Sequence, residues 1–212
     1  MTVYFILLLV TAFIAYILGS MNTKAIASQF IFHKNLMRLG RGNLWLSNFM
    51  RVYGVRGLLL LLLAELARDA LAIGFGMLLL SIKGHADAGA AFAGFCLCMG
   101  RCWPLFYRLR GSTASICLFM TGLLVSPTLG MSVLVGIIAA LAVTRCLSVG
   151  GAVGGVVMMI GSLLVLDGTV MYVCLFAGTA VLLRNLGGVR RMLLGTEEKI
   201  SLQKDLSYKF DE

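Results

Sequence analysis

The sequence predicts an all-α, polytopic integral membrane protein, and three features of its 212 residues lead to this fold class. Its residues are 60% hydrophobic, and the mean hydropathy is +0.97. Only 13% of the residues are charged, against about 25% in typical soluble domains. Long uncharged runs alternate with short basic segments. A water-soluble core of this size cannot bury so many apolar side chains, so lipid surrounds most of the chain.

Seven apolar runs come close to the length of about 20 residues that a transmembrane helix needs. They cover residues 2–19, 57–82, 88–100, the two halves of 116–144, 149–166 and 169–183. Ser126-Pro127 divides the long run, because proline interrupts a helix, and Asp167-Gly168 forms the turn before the last run. The shorter runs indicate broken or partly re-entrant helices around a site. The first run lacks a preceding basic region and a following cleavage pattern, so we expect it to be retained.

The basic residues predict the orientation in the membrane. Alternate loops on one side carry Lys24, Lys34, Arg38, Arg41, Arg51, Arg56, Arg101, Arg108, Arg110 and Arg145, and the C-terminal tail adds more. The other loops carry Lys83 alone, with Asp87 and Asp167. Because cytoplasmic loops are rich in Lys and Arg, we expect an outside N-terminus and a cytoplasmic C-terminus. One domain over residues 1–200 and a polar cytoplasmic tail over 201–212 complete the predicted organisation.

The net charge of +9 does not indicate nucleic acid as a partner. The basic residues flank apolar runs, where they indicate membrane topology and contacts with anionic lipid. The sequence contains no nucleic-acid-binding motif. The cysteine cluster Cys96, Cys98 and Cys102 has none of the usual zinc spacings and no neighbouring histidine. We therefore expect thiols that pack as small apolar groups, and neither a metal nor a cofactor.

Two predicted cytoplasmic segments are suited to binding an anion. In 38–51, Gly40 and Gly42 allow backbone N–H groups to approach a phosphate closely, and arginines and asparagines flank them. In 101–115, Gly111-Ser112-Thr113 precedes an apolar run and could direct N–H groups and hydroxyls at an anion. The alternatives are an ordinary basic loop for the first segment and simple helix capping for the second.

Charged residues inside the second apolar run also point to a site. Glu65 and Arg68 are one helical turn apart and can pair directly, with Asp69 beside them. Charges within a membrane are costly unless they are paired or face a polar cavity, so this helix face is expected to point at the site. A structural ion pair between two helices is the alternative.

In order and spacing, these segments resemble the bacterial acyl-phosphate:glycerol-3-phosphate acyltransferases (PlsY). The resemblance runs from about residue 15 to residue 200. It is carried by Gly19-Ser20, Arg38-x-Gly-x-Gly-Asn43, Asn48-x-x-Arg51, the charged pair of the second run, Pro104 before a basic turn, Thr144-Arg145-x-Leu-Ser148 and Gly195-Thr-Glu197.

The resemblance implies a seven-span inner-membrane protein with its site on the cytoplasmic side. It implies transfer of a fatty acyl group from acyl phosphate to the 1-hydroxyl of glycerol 3-phosphate, giving lysophosphatidic acid, with no covalent intermediate, metal or cofactor. Acyl phosphate, the acceptor and membrane lipids are then the partners. Because the donor is already activated, anchoring two phosphates and aligning the reactants is sufficient chemistry.

Site residues follow from the matching positions. The expected catalytic residues are Ser20, Arg101 and Glu65. The expected substrate-binding and phosphate-binding residues are Arg38, Gly40, Arg41, Gly42, Asn43, Asn48, Arg51, Gly111, Ser112, Thr113, Arg145, Ser148 and Glu197.

The chain departs from the family pattern at several polar positions. Arg101 stands where the family has histidine, Ser112-Thr113-Ala114 where it has a lysine-containing stretch, and Arg41 where it has serine. Asn185 and Gly188 replace a His-x-x-Asn pair. Two alternatives therefore accompany the first function: an acyltransferase with a different acceptor or donor, and a non-catalytic paralogue that binds lipid or a membrane-protein partner.

Overall fold

A computed structural model of the chain describes residues 2–30, 33, 46–107 and 111–197, apart from the side chains of Ser47, Arg51 and Tyr107. These ranges contain eight α-helices and a short 3-10 helix at Leu105–Tyr107, and no strand. The helices are α1 (Thr2–Ser20), α2 (Thr23–Phe30), α3 (Leu46–Ser81), α4 (Ala86–Cys102), α5 (Ser115–Val125), α6 (Pro127–Thr144), α7 (Leu147–Val165) and α8 (Gly168–Leu193). The predicted all-α class is confirmed.

Each predicted apolar run lies within a helix, except that Ile82 and Leu166 follow the last residues of α3 and α7. The expected break at Ser126 separates α5 from α6, with Pro127 in the first turn of α6, where its missing N–H costs nothing. The expected turn at Asp167 precedes α8, and Gly168 takes the positive φ of 57°. The structure adds α2, which the apolar runs did not predict, and extends the last helix ten residues beyond Leu183.

Four of the described helices are long and apolar enough to cross a membrane: α1, α6, α7 and α8. The apolar helix α5 has 11 residues, or about 17 Å, which is too short to cross a hydrocarbon core of about 30 Å alone. The predicted number of seven spans and the predicted orientation of the termini stay predictions.

The chain divides into two compact units. The first contains α1, the part of α3 from Leu66 onward, and α4 to α8; the second contains α2 and the part of α3 up to Glu65. A single domain over residues 1–200 stays a prediction, and the predicted boundary at residue 200 lies outside the described residues.

Helix α4 forms the centre of the first unit, where eleven of its seventeen residues are buried. It packs against α1, α5 and α8, while α7 packs against α6 and α8. Small residues allow these close approaches, as is usual between helices in a membrane. A Cβ on Gly100 would collide with the Tyr16 carbonyl oxygen of α1, and one on Gly19 with the Leu97 carbonyl oxygen of α4. The C-terminal ends of α1 and α4 are therefore held side by side.

In the second unit, the Asn22 side chain accepts hydrogen bonds from the backbone N–H groups of Lys24 and Ala25, which starts α2. Ser28 of α2 and Tyr53 of α3 share a hydrogen bond of 2.7 Å between their hydroxyls. Helix α3 is kinked at Gly54, whose φ of 68° suits glycine.

Candidate functional site

One end of the first unit collects most of its polar groups. At this end lie the C-termini of α1, α4, α6 and α8, the N-terminus of α7 and the connection between α4 and α5, which covers residues 103–114. Among the described residues, the arginines at this end are Arg68, Arg101, Arg145, Arg184, Arg190 and Arg191. The opposite end carries Lys83, His85, Asp87 and Asp167, with the His85 ring 5.9 Å from that of Tyr4 near the start of α1. Within the first unit, these arginines and the loop residues Lys83, Asp87 and Asp167 therefore lie at opposite ends.

Ser20 closes α1 and is 1% exposed. A Cβ on Gly100 would lie 3.0 Å from the Ser20 nitrogen, so Ser20 lies against the residue that precedes Arg101. Among the residues that the structure describes, no group forms a hydrogen bond with the Ser20 hydroxyl. A buried hydroxyl without a partner costs free energy, so this hydroxyl is suited to a polar ligand group.

Arg68, Asp69, Arg101 and Ser112 form a connected group, here called the Asp69 cluster. Nε and Nη2 of Arg68 donate to Oδ1 of Asp69 at 3.0 and 2.5 Å. Nη1 of Arg101 lies 3.7 Å from the same oxygen, and Nε of Arg101 donates to the Ser112 hydroxyl at 3.2 Å. Asp69 is 0% exposed and Arg101 is 7% exposed. Buried charges persist when they are paired in this way.

The α4–α5 connection is closed at its base by contacts from α8. Nε of Arg184 donates to the Cys102 carbonyl at 3.0 Å, and its Nη2 donates to the Gly111 carbonyl at 2.6 Å. One planar guanidinium therefore joins the last residue of α4 to Gly111 of the connection, and the Ser112 N–H donates to the Arg101 carbonyl beside them. Gly111 is required there, since a Cβ would collide with the carbonyl oxygens of Arg101 and Cys102.

Asn185 adds a second contact from α8. Its side-chain nitrogen donates to the carbonyls of Thr113 and Val181. Helix α5 starts at Ser115 after Ala114, whose φ is 54°, and no side chain caps it. Capping by Ser112 or Thr113, the alternative raised from the sequence, is thus wrong.

Ser148, Arg191 and Glu197 form a separate group where α7 begins and α8 ends. The Ser148 hydroxyl donates to Oε1 of Glu197 at 2.6 Å, and Nε of Arg191 donates to its Oε2 at 2.6 Å. Ser148 packs directly on Gly188, where any side chain would collide with it. The Glu197 carboxylate is therefore used to hold the chain after α8 against α7.

The predicted site residues divide into three sets. Ser20, Arg101, Gly111, Ser112, Thr113, Arg145, Ser148 and Glu197 lie at the polar end of the first unit. Asn48 and Glu65 belong to the second unit, where they are 2% and 3% exposed. Arg38, Gly40, Arg41, Gly42 and Asn43 lie outside the described residues, as does the side chain of Arg51.

Further residues with notable contacts join this end without having been assigned to the site from the sequence. Among them are Asp69, Arg184 and Arg191. Asp69 had a visible signal, since it is a carboxylate inside an apolar run. Arg184 had a weaker one, as the first charge after the last run. Nothing in the sequence distinguishes Arg191 from Arg190.

In the described part of the chain, no group of three or more His, Cys, Asp or Glu side chains could hold a metal ion. All six cysteines are buried, and none of them forms a disulfide. The polar end presents guanidinium groups, hydroxyls and backbone N–H groups, which are able to bind phosphate and orient it.

The sequence of the chain is similar to those of known proteins of one family. A family model described as glycerol-3-phosphate acyltransferase matches residues 9–195. A glycerol-3-phosphate acyltransferase of Thermoanaerobacter sp. (strain X514) is 25% identical over 200 residues, covering 92% of this chain and 97% of the relative. One from Clostridioides difficile (strain 630) is 26% identical over 198 residues, covering 93% and 97%.

Two solved structures have the same fold. Both are crystal structures of PlsY (YgiH), an integral membrane glycerol 3-phosphate acyltransferase, in a glycerol 3-phosphate form and a lysophosphatidic acid form. Each has a TM-score of 0.74 and covers 92% of this chain and 96% of its own, at 17% and 16% identity. With the apolar helices described above, this fold makes the chain a multi-pass membrane protein.

Proposed function

Because the chain belongs to the glycerol-3-phosphate acyltransferase family, we propose that it transfers a fatty acyl group from acyl phosphate to the 1-hydroxyl of glycerol 3-phosphate. The products are lysophosphatidic acid, a precursor of membrane phospholipid, and inorganic phosphate. The observation that carries this proposal is the extent of the family match. It covers residues 9–195 and so includes nearly all of the polar end of the first unit.

The reaction needs little from the protein beyond binding and alignment. The acceptor hydroxyl attacks the acyl carbonyl carbon, a new ester C–O bond forms, and the C–O bond to phosphate breaks. The phosphate leaves with the bonding electron pair, and the hydroxyl proton ends on the released phosphate. Since both reactants carry phosphate, cationic side chains that hold two phosphates and neutralise the departing charge supply most of the catalysis.

Two groups of the first unit are proposed to touch the substrates. Arg101 supplies a guanidinium for a substrate phosphate, assisted by the hydroxyls of Ser112 and Thr113 and the backbone at Gly111. Ser20 supplies its buried hydroxyl to the reacting centre. An arginine stays protonated at all accessible pH values, so Arg101 stabilises charge and does not act as a base.

The remaining assignments are proposed with them. Arg145, at an exposed turn with a φ of 55°, and Ser148 border the same end of the first unit. Glu197 contributes indirectly, by holding Ser148 in place. In the second unit we propose a catalytic role for Glu65 and a substrate contact for Asn48, both of which are buried polar residues. Arg38, Gly40, Arg41, Gly42, Asn43 and Arg51 are proposed to complete the phosphate-binding set.

The proposed setting is the bacterial inner membrane. The polar end of the first unit then faces the cytoplasm, where water-soluble glycerol 3-phosphate is available, and acyl chains reach the protein from the bilayer. The excess of arginine at this end supports that orientation.

A non-catalytic membrane subunit that binds lipid or a protein partner is the alternative function. Its support is that Asn185 and Gly188, which replace a His-x-x-Asn pair of the family, serve packing here. The Asn185 amide binds two backbone carbonyls and Gly188 accommodates Ser148.

Complementation of bacteria tests the proposal. Cells that lack every other glycerol-3-phosphate acyltransferase are supplied with the parent chain, the variant Arg101→Gln or the control Asp167→Asn, which changes an exposed loop at the opposite end. We expect growth without glycerol 3-phosphate supplementation for the parent and the control, and none for Arg101→Gln. Failure of the parent despite normal membrane expression would favour the non-catalytic subunit.

A further inference from the structure

The buried carboxylate of Asp69 lies between two arginines of different helices. Arg68 donates two hydrogen bonds to Oδ1, and Nη1 of Arg101 lies 3.7 Å from the same oxygen. Asp69 is 0% exposed, and an ion in such a position is tolerated only with partners of opposite charge. The carboxylate is thus the electrostatic link between α3 and α4.

The Arg101 guanidinium is held from two sides. Its Nε donates to the Ser112 hydroxyl, and its Nη1 faces Asp69. A planar group with one hydrogen bond and one ion pair at 3.7 Å is restrained in orientation, and the directions of its N–H groups are restrained with it. A lysine or an unrestrained arginine would lack that directionality.

Arg68 connects the carboxylate to the C-terminal end of α1. Nη1 of Arg68 donates to the Met21 carbonyl at 3.0 Å, directly after α1. A continuous path of polar contacts therefore runs from Met21 through Arg68, Asp69 and Arg101 to Ser112. This path connects the end of α1, which carries Ser20, with the connection that carries Ser112 and Thr113.

We propose that Asp69 is a positioning residue for Arg101, and that it holds the guanidinium in the direction in which it binds the phosphate of glycerol 3-phosphate. The inference rests on the proposed function. Asp69 does not contact the substrate; it acts through Arg101. Replacing it with asparagine removes the charge that faces Nη1 while the shape of the side chain is nearly kept.

A double-mutant cycle on the purified full-length protein tests this role. Asp69→Asn, Arg101→Gln and the double variant are compared for lysophosphatidic acid formation from acyl phosphate and radiolabelled glycerol 3-phosphate. We expect Asp69→Asn to raise the KM for glycerol 3-phosphate by about tenfold, the change that 1.4 kcal/mol of lost binding produces. In the Arg101→Gln background the same change should leave the KM unaltered, because the group that Asp69 positions is gone.

Two further variants separate positioning from general stability. Asp69→Glu keeps the charge but displaces the carboxylate, so we expect normal folding and a KM raised by about threefold. Asp87→Asn neutralises an exposed carboxylate at the opposite end and should match the parent. Apparent melting temperatures are recorded for every variant, and Asp69→Glu carries the test if Asp69→Asn does not fold.

The outcomes are distinct. A KM for Asp69→Asn within about twofold of the parent, or the same KM increase with and without Arg101, overturns the inference. A lowered melting temperature with an unchanged KM also overturns it, since that is the signature of a purely structural ion pair. Should the parent form no lysophosphatidic acid, the proposed function fails first, and the inference falls with it.

Discussion

Loss of the Arg184 side chain should open the α4–α5 connection locally, at temperatures below the melting temperature of the protein. This guanidinium bridges the carbonyls of Cys102 and Gly111, at 3.0 and 2.6 Å, and so holds Gly111, the residue before Ser112 and Thr113, against the end of α4. Arg184→Met removes both hydrogen bonds while retaining most of the length of the side chain. Arg190→Met is the matched control, because Arg190 is exposed on the same helix.

The size of the effect follows from the two bonds. Hydrogen bonds to a charged group contribute about 1.5–3 kcal/mol each, and partial exposure of Arg184 places the pair near the lower end of the sum, at about 3 kcal/mol. For a chain of this length, that corresponds to a lowering of the apparent melting temperature by about 6–12 °C. The control should change it by less than about 2 °C, as surface substitutions usually do.

Thiol labelling shows where the loosening occurs. Cys102 is the last residue of α4, directly before the connection, and Cys174 lies in the second turn of α8; both are 0% exposed. Well below the melting temperature, we expect a thiol reagent to modify Cys102 in Arg184→Met while Cys174 stays protected, because local opening exposes only the nearby thiol. Equal protection of Cys102 in Arg184→Met and Arg190→Met would refute the bridging role.

Three other predictions test separate parts of the structure. Gly111→Ala should abolish activity and lower stability, because the added methyl group would collide with two backbone carbonyls. The control Gly74→Ala has open space around it and should leave both unchanged. Activity assays and melting curves compare the two variants. Ser148→Ala and Glu197→Gln should each cost about 1 kcal/mol and be non-additive in a double-mutant cycle followed by thermal unfolding, since they share one hydrogen bond. A C-terminal alkaline phosphatase fusion should be inactive and a C-terminal fluorescent-protein fusion bright, if the C-terminus is cytoplasmic; the reverse pattern would contradict the charge rule.

The positions of the helices could largely be predicted from the sequence. Lipid exposure imposes long apolar runs, and Pro127 and Gly168 mark the breaks through their backbone restrictions. Hydropathy did not predict α2, whose eight residues include Lys24 and Ser28, or the extension of α8 beyond Leu183. A helix can leave the membrane without ending, so hydropathy gives the limits of the apolar segment and not those of the helix.

The contacts of the candidate site were less accessible from sequence. Spacing along a helix favours a partner three or four residues from Arg68. In the structure its guanidinium contacts the adjacent Asp69, because an arginine side chain is long enough to bend back. The approach of Arg101 to that carboxylate depends on the packing of α3 against α4, which no local pattern encodes. The role of Arg184 could not be predicted either, because its partners are backbone carbonyls 82 and 73 residues earlier in the chain.

Acyl transfer by the purified parent protein is the most direct test of the central claim. The protein is incubated with acyl phosphate and radiolabelled glycerol 3-phosphate, and lipid products are separated against a control without enzyme. We expect labelled lysophosphatidic acid to form with consumption of the donor, and Arg101→Gln to reduce it strongly. An intact donor, with no acyl transfer to glycerol 3-phosphate or to other hydroxyl acceptors, would contradict an acyltransferase function.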